Sequence, residues 1–376
     1  MTSTAWHRVF AGTSTRSRIV SATIALVVAW GGLTHSVARA VDKPIASLPP
    51  LDDDFPLQGD YAGHVRSAAG RLQWTGLQII ALGNGEFQGV EYIGGLPGNG
   101  GTIADPEKYS GKRSGGTVEL TGGNRRITVE QNRAVVRDSA GRDLGRLRKY
   151  HRLSKTLRLP PPSGATVLFD GANTDRLTGA TVTSDQLLNV GFDTKQTVTD
   201  FTLHAEFRTP YMPDARGQSR GNSGIYIQGR YEVQILDSFG LEGAFNECGA
   251  LYRTQPPMLN MCFPPMSWQT YDIDFTAARF DSTGNKTTPA KITVRLNGVV
   301  VQKDYAIPNK TGAGAAEGAD PRPIKFQNHR DAVNFRNIWI VDRSSGSVSE
   351  PCCGTAILPV GFTTTGDSGL IGRGCP

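Results

Sequence analysis

Long amphipathic stretches with helical spacing are scarce in this chain of 376 residues. Its 45 glycines and 22 prolines break it into short alternating segments instead, with 38% hydrophobic residues to fill a sizeable core. That combination speaks against a largely helical protein and favours an all-β one. A basic stripe is missing too, so nothing marks a nucleic-acid surface. Four arginines in the first 40 residues, which carry no acid, account for most of the +6 net charge and leave +2 for the rest. Cysteine is absent before Cys248, and the five present are Cys248, Cys262, Cys352, Cys353 and Cys375. With no paired C-x-x-C and no histidine beside Cys352-Cys353, a zinc site is the weaker reading of that pair. Cys248 with Cys262 would close a short loop, Cys352 or Cys353 could pin Cys375, and the odd count leaves one thiol over.

The apolar run Ile19–Leu33 is short for a membrane span. It follows Arg8, Arg16 and Arg18 and precedes Ala38 and Ala40 at A-x-A spacing. Residues 1–40 therefore read as a signal peptide cut after Ala40, with an uncleaved N-terminal anchor as the competing reading, which predicts export to the periplasm, the cell surface or the medium and permits disulfides.

Residues 41–54 are a linker to the mature start, and 55–156 alternate as a small β-domain without a catalytic pair. Its strand candidates are Leu77–Gly83, Glu86–Gly95, Thr117–Gly122, Ile127–Asp138 and Arg146–Leu153. The triple proline within 157–164 marks a semi-rigid connection. Residues 165–343 carry many more short strands, including an Asn297-Gly298 hairpin signal, which predicts a β-sandwich or jelly roll. Thr311–Asp320 (TGAGAAEGAD) reads as a flexible surface loop, and 344–376 as a cysteine-containing tail.

Chemistry concentrates in 222–240, NSGIYIQGRYEVQILDSFG. Strand alternation puts Ile225, Ile227, Tyr231, Val233 and Ile235 on one face and Tyr226, Gln228, Arg230, Glu232 and Gln234 on the other. A three-residue loop, Gln228-Gly229-Arg230, keeps the faces consistent by opposing Tyr226 to Glu232 and Ile225 to Val233. The pattern repeats in Asp200–Arg208, with His204, Glu206 and Arg208 opposite Leu203, Ala205 and Phe207, and in Ile324–His329, with Lys325, Gln327 and His329 on the polar side. Three strands that each offer acids, amides or imidazole, with an aromatic among them, suit a sugar-binding sheet. Asp237 has the wrong parity to join Glu232 on a regular strand.

The hairpin motif resembles the signature of the 3-keto-disaccharide hydrolase family. VLFDG, DFTLHAEFR, ECGALY, SWQTYDIDF, KITVRLNGV and IKFQNHRDAVNFRNIWI follow the family pattern in order, so the resemblance covers about residues 165–343. It implies a concanavalin-like β-sandwich jelly roll and cleavage of 3-keto-glycosides by hydrolysis or by elimination and hydration. Carried over residue by residue, it implies Glu232 as base or acid, with Arg230 and His329 holding the keto oxygen. Asn222, Tyr226, Gln228, Gln234, Asp237, Glu206 and Gln327 would contact the sugar. No cofactor is firmly implied; a divalent metal on Glu232, His329 or Asp237 is chemically reasonable but not demanded by the spacing. The chain departs from the pattern in lacking a Trp after the opening L-F-D-G and in having Gln228 where Arg is frequent. The E-x-D-x-E spacing of laminarinase-type glycosidases is absent, since the aligned positions are Glu232, Gln234 and Leu236. A non-catalytic carbohydrate-binding sandwich or a surface adhesion module is the alternative function.

Overall fold

A computed structural model describes residues 48–344. The expected signal peptide, the start of the linker after it, and Cys352, Cys353 and Cys375 lie outside the described residues. Among the described residues no helix is long and apolar enough to cross a membrane. The fold is all-β.

The first eight strands are β1 (Gly59–Arg66), β2 (Leu72–Ala81), β3 (Glu86–Ile93), β4 (Glu107–Ser114), β5 (Thr117–Gly122), β6 (Arg125–Glu130), β7 (Arg133–Asp138) and β8 (Asp143–Tyr150). They run antiparallel in sequence order, and β1 pairs with β8 to close a barrel. Tyr61, Leu77, Ile79, Ile127, Val129 and Val136 fill it, as an eight-stranded barrel allows. Ile127–Asp138, expected as one strand, is a hairpin: Glu130 pairs with Arg133 across Gln131-Asn132. Apolar alternation continues on both sides of that turn, so periodicity alone does not reveal the reversal.

The remaining strands are β9 (Thr166–Phe169), β10 (Leu177–Thr178), β11 (Leu188–Asn189), β12 (Phe192–Thr194), β13 (Phe201–Arg208), β14 (Ser223–Ile227), β15 (Tyr231–Ile235), β16 (Gln269–Thr276), β17 (Arg279–Phe280), β18 (Lys286–Thr288), β19 (Ala290–Leu296), β20 (Val299–Ile307), β21 (Lys325–Phe326) and β22 (Asn334–Asp342). All but β17 and β18, which pair with each other in a separate two-stranded sheet, form a sandwich. One sheet has five strands in the order β10-β12-β21-β14-β15, and the other has seven, β11-β22-β13-β16-β19-β20 with β9 beside β22. The core between them includes Ile225, Ile227, Tyr231, Val233 and Ile235 from one sheet and Leu203, Ala205 and Phe207 from the other. Phe192 stacks on Phe326 at 4.4 Å, and Phe335 of the opposite sheet meets Phe326 edge-on at 5.1 Å.

Barrel and sandwich meet along a polar seam. The Arg220 guanidinium donates to the Ala81 carbonyl of β2 at 3.3 Å and to Asp237 at 2.7 Å. Arg152 pairs with Asp60 at 2.9 Å and lies over the Phe263 ring. Residues 154–159 of the connection are fastened to the outer face of the seven-stranded sheet. Thr156 bonds Asp272 at 2.6 Å, and the Leu159 carbonyl accepts from Asn337 and Trp339.

Candidate functional site

β14 and β15 form the predicted hairpin: Tyr226 opposes Glu232, Ile225 opposes Val233, and Gln228-Gly229-Arg230 make the loop. Gln228 (φ +53°) and Gly229 (φ +60°) both adopt left-handed backbone, which keeps the connection to three residues. β15 ends its sheet, so its outer backbone edge needs partners. Two segments supply them. The Gln234 N–H donates to the Ala250 carbonyl and the Tyr252 N–H to the Glu232 carbonyl, both at 3.0 Å. From Thr311–Ala315, the Thr311 and Ala315 N–H groups donate to the carbonyls of Arg230 and Gly229, while the Thr311 hydroxyl accepts the Glu232 N–H at 2.6 Å. The expected flexible loop is therefore an ordered edge cover. Its glycines serve close approach as much as freedom of movement.

Glu232 sits beneath this cover, 3% exposed. A Cβ on Gly224 would lie 2.6 Å from one carboxyl oxygen, and one on Gly312 would lie 3.0 Å from the other. Burial pushes the Glu232 carboxyl up to about 7, against the pull of its hydrogen bond from Tyr226. A carboxyl poised there can take or give a proton near neutrality. Burial and the adjacent carboxyl hold the Tyr226 phenol far above its usual range. The Tyr226 hydroxyl also meets the Ala313 backbone and the Gln327 amide, the latter at 3.4 Å. The Gln327 side-chain oxygen, Oε1, is buried and has no hydrogen-bond partner among the described residues. Strand register extends this row sideways: Tyr226 pairs with Lys325, and Lys325 with Asp193. Glu232, Tyr226, exposed Lys325 and half-buried Asp193 thus share one face of the five-stranded sheet.

The other predicted residues do not join Glu232 so closely. Arg230 is buried, with its guanidinium committed to the cover through the Ala316 and Asp320 carbonyls, the Asp320 carboxylate and Gln228. Gln228 donates to the Val198 carbonyl, and Gln234 to Gln218. The Asn222 amide side chain donates to Gln218, and its N–H to the Asp331 carboxylate at 2.6 Å. His329 is exposed on the loop after β21, and its charge favours the ionised form of Asp331. Asp237 turns to the barrel seam and Arg220, away from the hairpin's polar face. Glu206 lies on the other sheet altogether. It faces outward from β13 beneath the connection, held by Arg336 at 2.7 Å, Asn337 at 3.0 Å and the Arg158 N–H. The shared polar face expected of three strands is thus divided between two sheets, because strand parity says which face a residue takes but not which sheet carries it.

Tyr252, Thr311 and Gly312 were not anticipated. The Gly312 position lies 2.9 Å, measured to an added Cβ, from the Tyr252 ring. Their signals were the ALY of ECGALY and the glycine spacing of TGAG. Among the described residues, no group of three or more His, Cys, Asp or Glu is arranged to hold a metal ion. Of the three residues named for one, Asp237 is occupied by Arg220.

Residues 164–341 match the family model described as a 3-keto-alpha-glucoside-1,2-lyase-like domain. A solved structure from Parabacteroides distasonis ATCC 8503, described as a "putative glycosyl hydrolase", is 34% identical over 48% of this chain and 84% of its own, with a TM-score of 0.44. A second structure so described from the same organism is 19% identical over 48% of this chain and 94% of its own, with a TM-score of 0.35. No curated protein matches the chain. The barrel lies outside the family match.

Proposed function

Through residues 164–341 the chain belongs to the 3-keto-alpha-glucoside-1,2-lyase-like family, and from that premise we propose that it is an exported carbohydrate-active enzyme cleaving the glycosidic bond of 3-keto-glycosides. The observation that carries this reading is the buried Glu232 carboxyl, raised to about 7 and bonded to Tyr226. A ketone at C3 acidifies the proton at C2. Glu232 takes that proton, the electron pair passes to the C3 oxygen as an enolate, and collapse of the enolate breaks the C1–O bond. The aglycone leaves with a proton, and water adds across C1 and C2 to give the free 3-keto sugar. Tyr226 and Lys325 share the face on which the enolate would form and supply an O–H and an N–H for it. The Gln327 side-chain oxygen, without a partner among the described residues, suits a sugar hydroxyl. The hairpin's other carboxylate, Asp237, is held by Arg220. That favours a single-base elimination over the paired-carboxylate route of ordinary glycosidases. Because Glu232 is covered by Gly312, substrate reaches it when the Thr311–Gly314 segment moves aside.

The test is turnover of a 3-keto-disaccharide by wild type, Glu232→Gln and Tyr226→Phe, each with and without chelator. Loss of turnover in Glu232→Gln by at least about a hundredfold is expected from removal of a general base. Equal turnover by wild type and Glu232→Gln refutes the assignment. Loss of wild-type activity on chelation, restored by a divalent ion, adds a metal to the mechanism.

A further inference from the structure

Cys248 and Cys262 take no part in the proposed chemistry, yet they are among the most buried side chains of the sandwich, at 0% and 1% exposure. Both are free thiols in the structure, and each is among the groups that shift the other's ionisation. Both hang on the turn that follows β15. The Cys248 N–H donates to the Ser238 hydroxyl at 2.9 Å, and the Cys262 thiol reaches the Leu236 carbonyl at 3.5 Å. Asn260 joins the two attachments, donating to the Ser238 carbonyl at 2.7 Å and accepting the Cys262 N–H at 3.0 Å. The two cysteines are thus fastened, within the buried core, to the same turn at residues 236–238. The chain between them includes Ala250–Tyr252, which completes the outer edge of β15 and sets the Tyr252 ring beside Gly312 over Glu232.

We infer that Cys248 and Cys262 are joined by a disulfide in the mature protein, a clamp on the segment that covers the edge of β15. The alternative leaves two reduced thiols buried beside one turn, with only weak hydrogen bonds to the groups around them. The reaction is exchange with an external disulfide, such as oxidised glutathione or an oxidised dithiol protein. The thiolate of one cysteine attacks a sulfur of that disulfide and releases one external thiol. The other cysteine then displaces the second external thiol from the mixed disulfide. One S–S bond breaks, one forms, and the two protein protons end on the departing thiols. Both sulfur atoms are inaccessible in the native state, and burial holds Cys262 as a thiol. The exchange therefore belongs to folding, while residues 236–262 are still open. The same burial keeps both cysteines out of reach of Cys352, Cys353 and Cys375 once the sandwich has formed.

The test is oxidative refolding of the reduced, full-length chain in a glutathione redox buffer, followed by blocking of free thiols under denaturing conditions and tryptic mapping. Trypsin cuts after Arg253, so the two cysteines fall in separate peptides, Tyr231–Arg253 and Thr254–Arg279. The expected product is these two peptides linked, released by reductant. Fully alkylated Cys248 and Cys262, or either one linked to a tail cysteine, overturns the inference. A second readout uses stability. Reducing the wild-type clamp should lower Tm by roughly 6–12 °C, as expected for a loop of this length. Cys248→Ala/Cys262→Ala should show no such reductant-dependent shift. A reductant-dependent shift of equal size in both proteins places the sensitive bond elsewhere and refutes the clamp.

Discussion

Glu206→Gln tests how the Pro-rich connection is held to the sandwich. Glu206 is fully buried and accepts hydrogen bonds from Arg336 and Asn337, and from the Arg158 backbone N–H of the connection. On its flank His204 bonds Asp272 at 2.6 Å and lies 3.8 Å from Glu206. Burial works against ionisation of Glu206, but these partners overcome it and hold the carboxyl at about 2, below an ordinary 4.5. That depression corresponds to about 3 kcal/mol of folding free energy when the carboxylate is charged in both states. The sign is that of a lowered acid: the contribution is complete above about pH 5 and fades as pH falls towards 2. At pH 3 roughly half of it remains. Glu206→Gln puts an N–H where donors converge and removes the charge, so it should cost about 3 kcal/mol at pH 5.5 and about 1.5 kcal/mol at pH 3. Urea unfolding of both proteins at the two pH values measures this directly. A difference below about 0.5 kcal/mol at pH 5.5, or one that does not shrink on acidification, refutes the account.

His204 adds the opposite arm. Burial disfavours its imidazolium, but Asp272 and Glu206 together raise it above its ordinary 6.5. Its contribution is therefore present below pH 6.5 and lost as pH rises through the folded value. The network should be strongest between about pH 5 and 6.5, and His204→Gln should destabilise more at pH 6 than at pH 9.

Three other outcomes follow from the hairpin and the seam. Glu232 is raised to about 7 by burial, so an unfavourable contribution to folding builds up between pH 4.5 and 7; Glu232→Gln should be about 2–3 kcal/mol more stable than wild type at pH 8 and about equal at pH 4, read by urea midpoints. Gly312 (φ +48°) would bring a Cβ to 3.0 Å from Glu232 and 2.9 Å from Tyr252, whereas one at Gly164 (φ +80°) meets nothing within 4 Å. Gly312→Ala should therefore lose about 1–2 kcal/mol more than Gly164→Ala, and equal losses would show that the cover is not crowded. Asp237→Ala strands the buried Arg220 guanidinium at the seam and should cost about 3–5 kcal/mol, while Asp237→Ala/Arg220→Met recovers much of it. A double variant no better than the single one places the loss outside the ion pair.

What could be read from the sequence followed the range of each physical rule. The hairpin faces and their three-residue loop were legible because alternation and opposition are local, and a one-residue slip would have turned Ile225 and Val233 to the wrong side. Asn297-Gly298 was legible for the same reason, and both residues adopt the positive φ its turn requires. Glu206 was misplaced because parity assigned it a polar face while pairing with β16 and β22 put that face on the other sheet. Thr311–Asp320 looked like a loose loop because its composition gives no sign of β15, the edge it covers, some eighty residues earlier.

Asp237 shows where such rules meet. Its parity already separated it from Glu232, but parity did not name its partner. That partner is Arg220, whose other donors reach the Ala81 carbonyl of the barrel. A carboxylate held by a buried guanidinium at a seam is neutralised structurally and is unavailable as half of a catalytic pair. Glu232, by contrast, has a phenol and backbone around it, and among the described residues no cation is bonded to its carboxyl to hold it ionised. Two acids five residues apart thus meet opposite environments. The barrel's contact with Arg220 secures one, and the glycine-lined cover leaves the other poised near neutrality, which makes Glu232 the hairpin's candidate for proton transfer.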